Sequence, residues 1–398
     1  MPDFHQHELI TTIHDLRTGS LEHLEMMLRQ STAESKIGLV LPVTAGDMRA
    51  QPFDIIVDQL RGADYIDTIV VTLGVAPDES DYQQTCAKVA ALGDRCRVLW
   101  TDGPKVQSLY AELIDAGIPV STPGKGRSVW TAFGYLLADP TIDVFVLHDC
   151  DIVDYDRLLL ARLCLPMVDP ALDFEFCKAY YARVTDRMHG RVVRLLVAPL
   201  LRALIQIYPS SEFVHFLANF RYPLSGEFSL TRNLARSNRI PSDWGLEVGT
   251  LAEVFRNTSI KRVCQADLCR LYEHKHQSAS LDNKQGGLMK MAIDILTTVY
   301  RTLASQGVIL SDGTFITLRS LFLRTAQDCI RQYAADARVN GLNFDRHGEE
   351  TMIDAFASCI TTAAEIFRND PNGAEAIPNW TRVRAAFPDF VDRLRDAT

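Results

Sequence analysis

Short unbroken runs of Val, Ile and Leu alternate along the first 150 residues with stretches in which apolar residues recur every three or four positions. IGLVLPV (37–43), DTIVVTLG (67–74), CRVLW (96–100) and DVFVLH (143–148) have strand length, are rich in β-branched residues, and end at turn-forming or polar residues. The segments 52–61, 80–92, 104–116 and 126–138 carry helical spacing. Strands alternating with helices predict an α/β fold: a mostly parallel sheet flanked by helices, with right-handed crossovers. Ahead of it, Leu9, Ile10, Ile13, Leu16, Leu21, Leu24 and Leu28 predict an amphipathic helical arm broken near Gly19. FEFCKAYYARV (174–184) reads as strand-like, and a loop is expected around 221–229. After Leu281 the spacing is helical to Arg368, and NDPNGAEAIPNW (369–380) is a turn-rich linker before a closing helix. This divides the chain into an N-terminal helical arm (1–35), an α/β ligand-binding domain (36–280) and a helical C-terminal region (281–398). The last is expected to act as a lid or as the interface of a homodimer.

The composition supports a large packed core: 398 residues, 47% hydrophobic and 23% charged. With 41 Lys+Arg against 50 Asp+Glu, the net charge of -9 argues against nucleic acid as a partner. The N-terminus, MPDFHQHELITTIHDL, has no apolar signal-peptide stretch, and no apolar run approaches the roughly 18 residues of a membrane span, so no membrane insertion is expected. Nine dispersed cysteines without a C-x-x-C pair indicate neither a zinc knuckle nor a disulfide framework, and suit a reducing cytoplasm.

Ligands of parallel α/β sheets bind beyond the carboxyl ends of the strands, so chemistry is expected after Val43, Leu73 and His148. There DVFVLHDCDIVD places Asp149 and Asp151 directly past a buried strand. Two carboxylates at i and i+2 suit a hard divalent cation, Mg²⁺ or Mn²⁺, that bridges the phosphates of a nucleotide and offsets charge on the leaving group. The plainer reading is a solvated turn or a helix cap. A strand-terminal Asp-x-Asp also occurs in haloacid-dehalogenase-type phosphatases, where it opens the domain and Thr follows two residues on; Val153 stands in that place here. PGKGRSVW (123–130) sets Lys125 between glycines at a helix start, suited to an anionic oxygen but without P-loop spacing. Lys178, Arg183, Arg187, Arg191, Arg194 and Arg202 form a basic stretch, in which Arg191 after the His189-Gly190 turn is the best candidate for a small anion. PLSGEF (223–228) and DWGLEVG (243–249) offer Glu227 and Glu247 to a polar ligand such as a sugar, and YEHKHQ (272–277) offers His274 or His276 as a further metal ligand. For each, a surface, capping or packing role is the alternative.

Taken in order, GKGRSVW, VFVLHDCD, HGRVV, PLSGEF, DWGLEVG and the His274 region resemble the glucosyl-3-phosphoglycerate and mannosyl-3-phosphoglycerate synthases, retaining glycosyltransferases of GT-A fold. The resemblance spans roughly residues 37–277 and implies a nucleoside diphosphate sugar donor (a UDP- or GDP-hexose), a divalent metal, and 3-phosphoglycerate or glycerate as acceptor. It implies Asp149, Asp151 and His274 at the metal, and Lys125 at the donor phosphates. Pro42, Val43, Asp149, Glu227 and Glu247 would lie around the donor, with Glu247 on the hexose hydroxyls and the Leu224 backbone beside the sugar. Gly190, Arg191 and Arg194 would face the acceptor; Asp151, Glu247 and Leu224 stand nearest the chemistry. Val193 replaces the family's Thr, which removes a hydroxyl from the phosphate end and favours glycerate. LPVTAGD (41–47) and VTLGVAPD (71–78) depart from the family where the base would lie. The expectation is a cytoplasmic hexosyltransferase of compatible-solute synthesis. Its alternatives are a glycosyltransferase for another small acceptor, a phosphatase, or a nucleotide-sugar-binding protein without activity.

Overall fold

The computed structural model describes residues 6, 9–16, 20–120, 122–241, 245–269, 287–373 and 376–398. Its centre is an eight-stranded sheet of β1 (Thr11–Ile13), β2 (Lys36–Thr44), β3 (Thr68–Gly74), β4 (Cys96–Trp100), β5 (Ile142–Leu147), β6 (Phe176–Tyr180), β7 (Phe228–Thr231) and β8 (Val263–Asp267), in the order β1-β8-β6-β7-β5-β2-β3-β4. The four strands expected from the apolar runs are β2 to β5, and their connecting helices are Gln51–Leu60, Glu79–Val89, Pro104–Asp115 and Lys125–Leu137. All strand pairs are parallel except those of β7, which is antiparallel to both β5 and β6.

Side chains alternate across a strand, and the two halves of each apolar run go to different cores. Val40, Val70, Leu99, Phe145 and Leu147 join one cluster. Leu39, Leu41, Ile69, Val71, Val98, Val144 and Val146 join the other. This is why these strands carry continuous rather than alternating apolar sequence. The helix Lys125–Leu137 covers the first face, and the helices Gln51–Leu60 and Arg157–Val168 cover the second.

Two expectations about the ends change. The N-terminal segment is not one helical arm: Thr11–Ile13 adds an edge strand parallel to β8, and only Leu21–Ser31 is helical, capped by the Ser20 hydroxyl. Ile10 and Ile13 fit helical spacing, but sheet pairing outweighs propensity in so short a segment. The C-terminal region is helical as expected, with Gly287–Ser305, Asp312–Val339, Arg346–Asn369, Trp380–Ala386 and Phe390–Arg395. It is not a separate body: Met289, Leu296, Phe322, Phe356 and Trp380 share one core with Phe145 and Phe133. Trp380 stacks on Trp130 with ring centroids 4.0 Å apart, and their indole N–H groups donate to the Trp130 and Pro378 carbonyls (3.1 and 2.8 Å). Among the described residues, no helix is long and apolar enough to cross a membrane.

Candidate active site

The antiparallel insertion of β7 builds the site. Register aligns Leu147 of β5 with Phe228 of β7, and Phe228 with Lys178 of β6. The residues that follow β5 therefore face those that precede β7, which brings HDCD (148–151) and LSGE (224–227) together. Gly226 packs so closely on Asp149 that a Cβ at Gly226 would lie 2.7 Å from the Asp149 carboxylate carbon, so any larger residue there would displace that carboxylate.

The turn after β5 is held from inside. His148 is fully buried; its Nδ1–H donates to the Asp149 carbonyl (2.9 Å), which leaves Nε2 to accept from the Tyr155 hydroxyl (3.2 Å). Burial pushes the His148 imidazole down to about 4, so it stays neutral and this tautomer is fixed. Cys150 turns into the core, and Asp149 and Asp151 stand on either side of it. Burial, then the charges of Asp149 and Glu227, push the Asp151 carboxyl up to about 7.

Around this pair the structure gathers other residues of the sequence reading. Lys125 at the first position of its helix pairs with Asp149 (Nζ to Oδ1, 2.6 Å) and with Glu247 (Nζ to Oε1, 3.2 Å). Burial opposes its charge, but Asp149 and Glu247 hold it protonated above the ordinary lysine range. Glu247 lies in the first turn of Leu246–Asn257. Glu227 is fully buried and accepts from the Tyr181 hydroxyl (2.6 Å). Leu224 is half-buried two residues before Gly226. Pro42 and Val43 lie at the end of β2, but Val43 turns its side chain into the core, so only its backbone faces the strand end. His274 and His276 lie outside the described residues.

Three contributors were not read from the sequence as part of this site. Asp47, past the end of β2 and bonded to the Thr44 hydroxyl (2.7 Å), adds negative charge at Asp151; the rule that sites lie beyond strand ends would have found it. Lys178 is completely buried, donates to the Ser225 carbonyl (2.7 Å) and lies over the Phe228 ring. Burial lowers its amine to about 8 against the pull of Glu247 and Glu227. A lysine inside the apolar strand FCKAY was the signal. Tyr181 packs on Tyr222 (centroids 5.0 Å), and the Tyr222 hydroxyl accepts from Arg183 (3.1 Å).

Tyr222 leads to the basic stretch. Gly190, in the left-handed region (φ 73°), stands against the Tyr222 hydroxyl. Arg191 and Arg194 follow, at and within the wide π-type turn Val192–Val197 that opens the helix Ala198–Ile207. Arg191 is one-third exposed and gives its Nε to Glu349 (3.1 Å). Arg194 is less exposed, at 11%, and its donors are spent on the His189 and Met188 carbonyls and on Glu349 (2.9, 3.2 and 2.8 Å). Arg194 is thus turned toward the scaffold rather than outward with Arg191. Arg187 pairs with Asp186 and does not join them.

Among the described residues, no three His, Cys, Asp or Glu side chains converge into a closed metal cage. The donor set still fits a hard cation of open coordination. Among the described residues, Asp47, Asp149, Asp151, Glu227 and Glu247 are set against Lys125 and Lys178, and Asp151 is raised first by burial and then by the neighbouring carboxylates. A Mg²⁺- or Mn²⁺-type ion commonly takes one or two carboxylates plus substrate phosphates and water.

No family model matches the chain. Full-length relatives do. The glucosyl-3-phosphoglycerate synthase of Persephonella marina is 43% identical over 99% of this chain and 97% of its own length. That of Methanococcoides burtonii is 38% identical, again over 99% and 97%. Among solved structures, the glucosyl-3-phosphoglycerate synthase of Mycobacterium tuberculosis in complex with Mg²⁺ and uridine diphosphate superposes with a TM-score of 0.53 at 25% identity, over 76% of this chain and 89% of that one. The mostly parallel sheet with its inverted seventh strand is therefore a GT-A fold, and the chain belongs to the glucosyl-3-phosphoglycerate synthase family of glycosyltransferases.

Proposed function

We propose that the protein transfers glucose from a nucleoside diphosphate to the free hydroxyl of 3-phosphoglycerate, with retention at the anomeric carbon. The observation that carries this reading is the meeting of Asp149, Asp151, Lys125, Glu227 and Glu247 at the end of β5, in a chain whose full-length relatives are synthases of that name. Asp149 and Asp151 would hold the divalent ion, with His274 as a candidate third ligand. The ion would supply charge to the donor diphosphate as it departs.

The chain's own residues do the rest. Lys125, kept cationic by Asp149 and Glu247, meets the donor phosphates. Glu247 takes hexose hydroxyls, and the Leu224–Gly226 backbone, braced by Lys178 at the Ser225 carbonyl, lies beside the sugar. Arg191, beyond the Tyr181–Tyr222 layer, takes the acceptor's anionic end. The acceptor hydroxyl then approaches on the face the diphosphate leaves, and a departing phosphate oxygen receives its proton, so no strong protein base is needed. Catalysis rests on alignment and preorganised charge. All nine cysteines are free thiols, seven of them buried, which supports a reducing compartment such as the cytoplasm.

The test is incubation with UDP-glucose or GDP-glucose, Mg²⁺ or Mn²⁺, and 3-phosphoglycerate or glycerate. Nucleoside diphosphate release with an α-linked glucosyl-3-phosphoglycerate product is expected, and the donor pair identifies the base. Preference for glycerate would overturn the acceptor; phosphate release without any donor would overturn the reaction class.

A further inference from the structure

The basic loop that carries the candidate acceptor residues is held by the C-terminal region, through one buried carboxylate. Glu349 lies in the first turn of Arg346–Asn369 and is 4% exposed. One of its oxygens accepts from Arg191 Nε (3.1 Å) and Arg194 Nη2 (3.3 Å), and the other from Arg194 Nη1 (2.8 Å). A buried carboxylate needs such compensation, and two guanidinium groups over-supply it, so the trio keeps a net positive charge. The two arginines share it unequally. Arg194 is locked further by the His189 and Met188 carbonyls and lies 4.9 Å over the Tyr333 ring. Arg191 gives Glu349 only its Nε edge, and among the described residues its two terminal nitrogens have no hydrogen-bond partner. Those two nitrogens form the fork that suits phosphate or carboxylate.

A second tie lies six residues earlier in the same region. Asn343 donates its backbone N–H to the Asp186 carbonyl (2.8 Å) and its side-chain amide to the Asp186 carboxylate (3.1 Å). Within the loop, His189 N–H closes on the Arg183 carbonyl (2.9 Å). The loop 183–191 is thus fastened at Asp186 and at Arg191 to residues 343–349.

We infer that Glu349 is a positioning residue for the acceptor. By gripping the Nε edge of Arg191 from the helical region, it fixes the guanidinium so that its terminal pair meets the acceptor's anionic end. The inference rests on the proposed acceptor role of Arg191. Without the grip, Arg191 is a long side chain with several rotamers, and each acceptor bound must order it. The effect belongs to acceptor binding and not to the donor.

Steady-state kinetics of Glu349→Gln, Glu349→Asp and Arg191→Ala test it, with Mn²⁺-dependent UDP binding and thermal unfolding measured alongside. For Glu349→Gln, the KM for 3-phosphoglycerate rises about tenfold, the order expected for loss of one charge-assisted hydrogen bond. Its kcat, donor KM and UDP binding stay within about twofold, and Glu349→Asp recovers part of the loss. Arg191→Ala raises the acceptor KM at least as far. An unchanged acceptor KM in Glu349→Gln beside a raised one in Arg191→Ala overturns the positioning role alone. A Glu349→Gln that loses kcat, both KM values and melting temperature together also overturns it, in favour of a structural role. An unchanged acceptor KM in Arg191→Ala overturns the acceptor reading itself. If Glu349→Gln does not fold, Glu349→Asp carries the same comparison, with a smaller rise expected.

Discussion

At the scale of single residues, the present place of the Asp149 carboxylate depends on the close approach of Gly226. Gly226 leaves room for Asp149, and a methyl group there must push the carboxylate aside. Gly226→Ala is expected to raise the Mn²⁺ concentration for half-maximal activity about tenfold or more, the size seen when the surroundings of a metal ligand are disturbed. Its melting temperature should change little. A metal titration beside thermal unfolding checks this, and an unchanged titration would mean that Asp149 tolerates displacement. The sequence makes Asp149 and Asp151 legible because both follow an apolar run, and a pair of carboxylates has few reasons to sit there. It makes Glu349 illegible: one acid among many in an amphipathic helix carries no mark of its partners, which are 155 and 158 positions away. Arg191 and Arg194 look alike in sequence, and it is the carbonyls of Met188 and His189 and the Tyr333 ring, all on Arg194, that tell them apart.

At the scale of elements, β2 to β5 could be read from composition because both their faces are buried. The inverted β7 could not. Its four residues carry no sign of direction, and its place between β5 and β6 is fixed by long-range register. Yet that inversion is what sets Gly226 and Glu227 against the end of β5. Likewise, Thr11–Ile13 is too short for period two to outvote the helical spacing around it. The helix Lys125–Leu137 presents Lys125 at one end and is clamped at its middle, where Gly134 makes space for the Trp380 ring and Trp130 stacks on it. Trp380 is fully buried. Trp380→Ala is expected to destabilise the fold by about 3–5 kcal/mol, as for other buried aromatic truncations. Urea unfolding measures it, and a cost below about 1 kcal/mol would show that the clamp is dispensable.

At the scale of the whole molecule, the C-terminal helices share the core of the sheet and reach the basic loop 183–191 proposed to meet the acceptor. Their spacing alone identified them as helices but left open what they pack against. Net charge sets a second whole-molecule condition. A chain at -9, with a surplus of carboxylates at its candidate site, repels a diphosphate unless a cation intervenes. The most direct measurement is therefore calorimetric titration of UDP into the wild-type protein and into Asp151→Ala, each with Mn²⁺ and with EDTA. Binding by the wild type with Mn²⁺ is expected, with at least about tenfold weaker binding in EDTA and no gain from Mn²⁺ in a folded Asp151→Ala. Equal affinity in all four titrations would contradict the metal role proposed for Asp151.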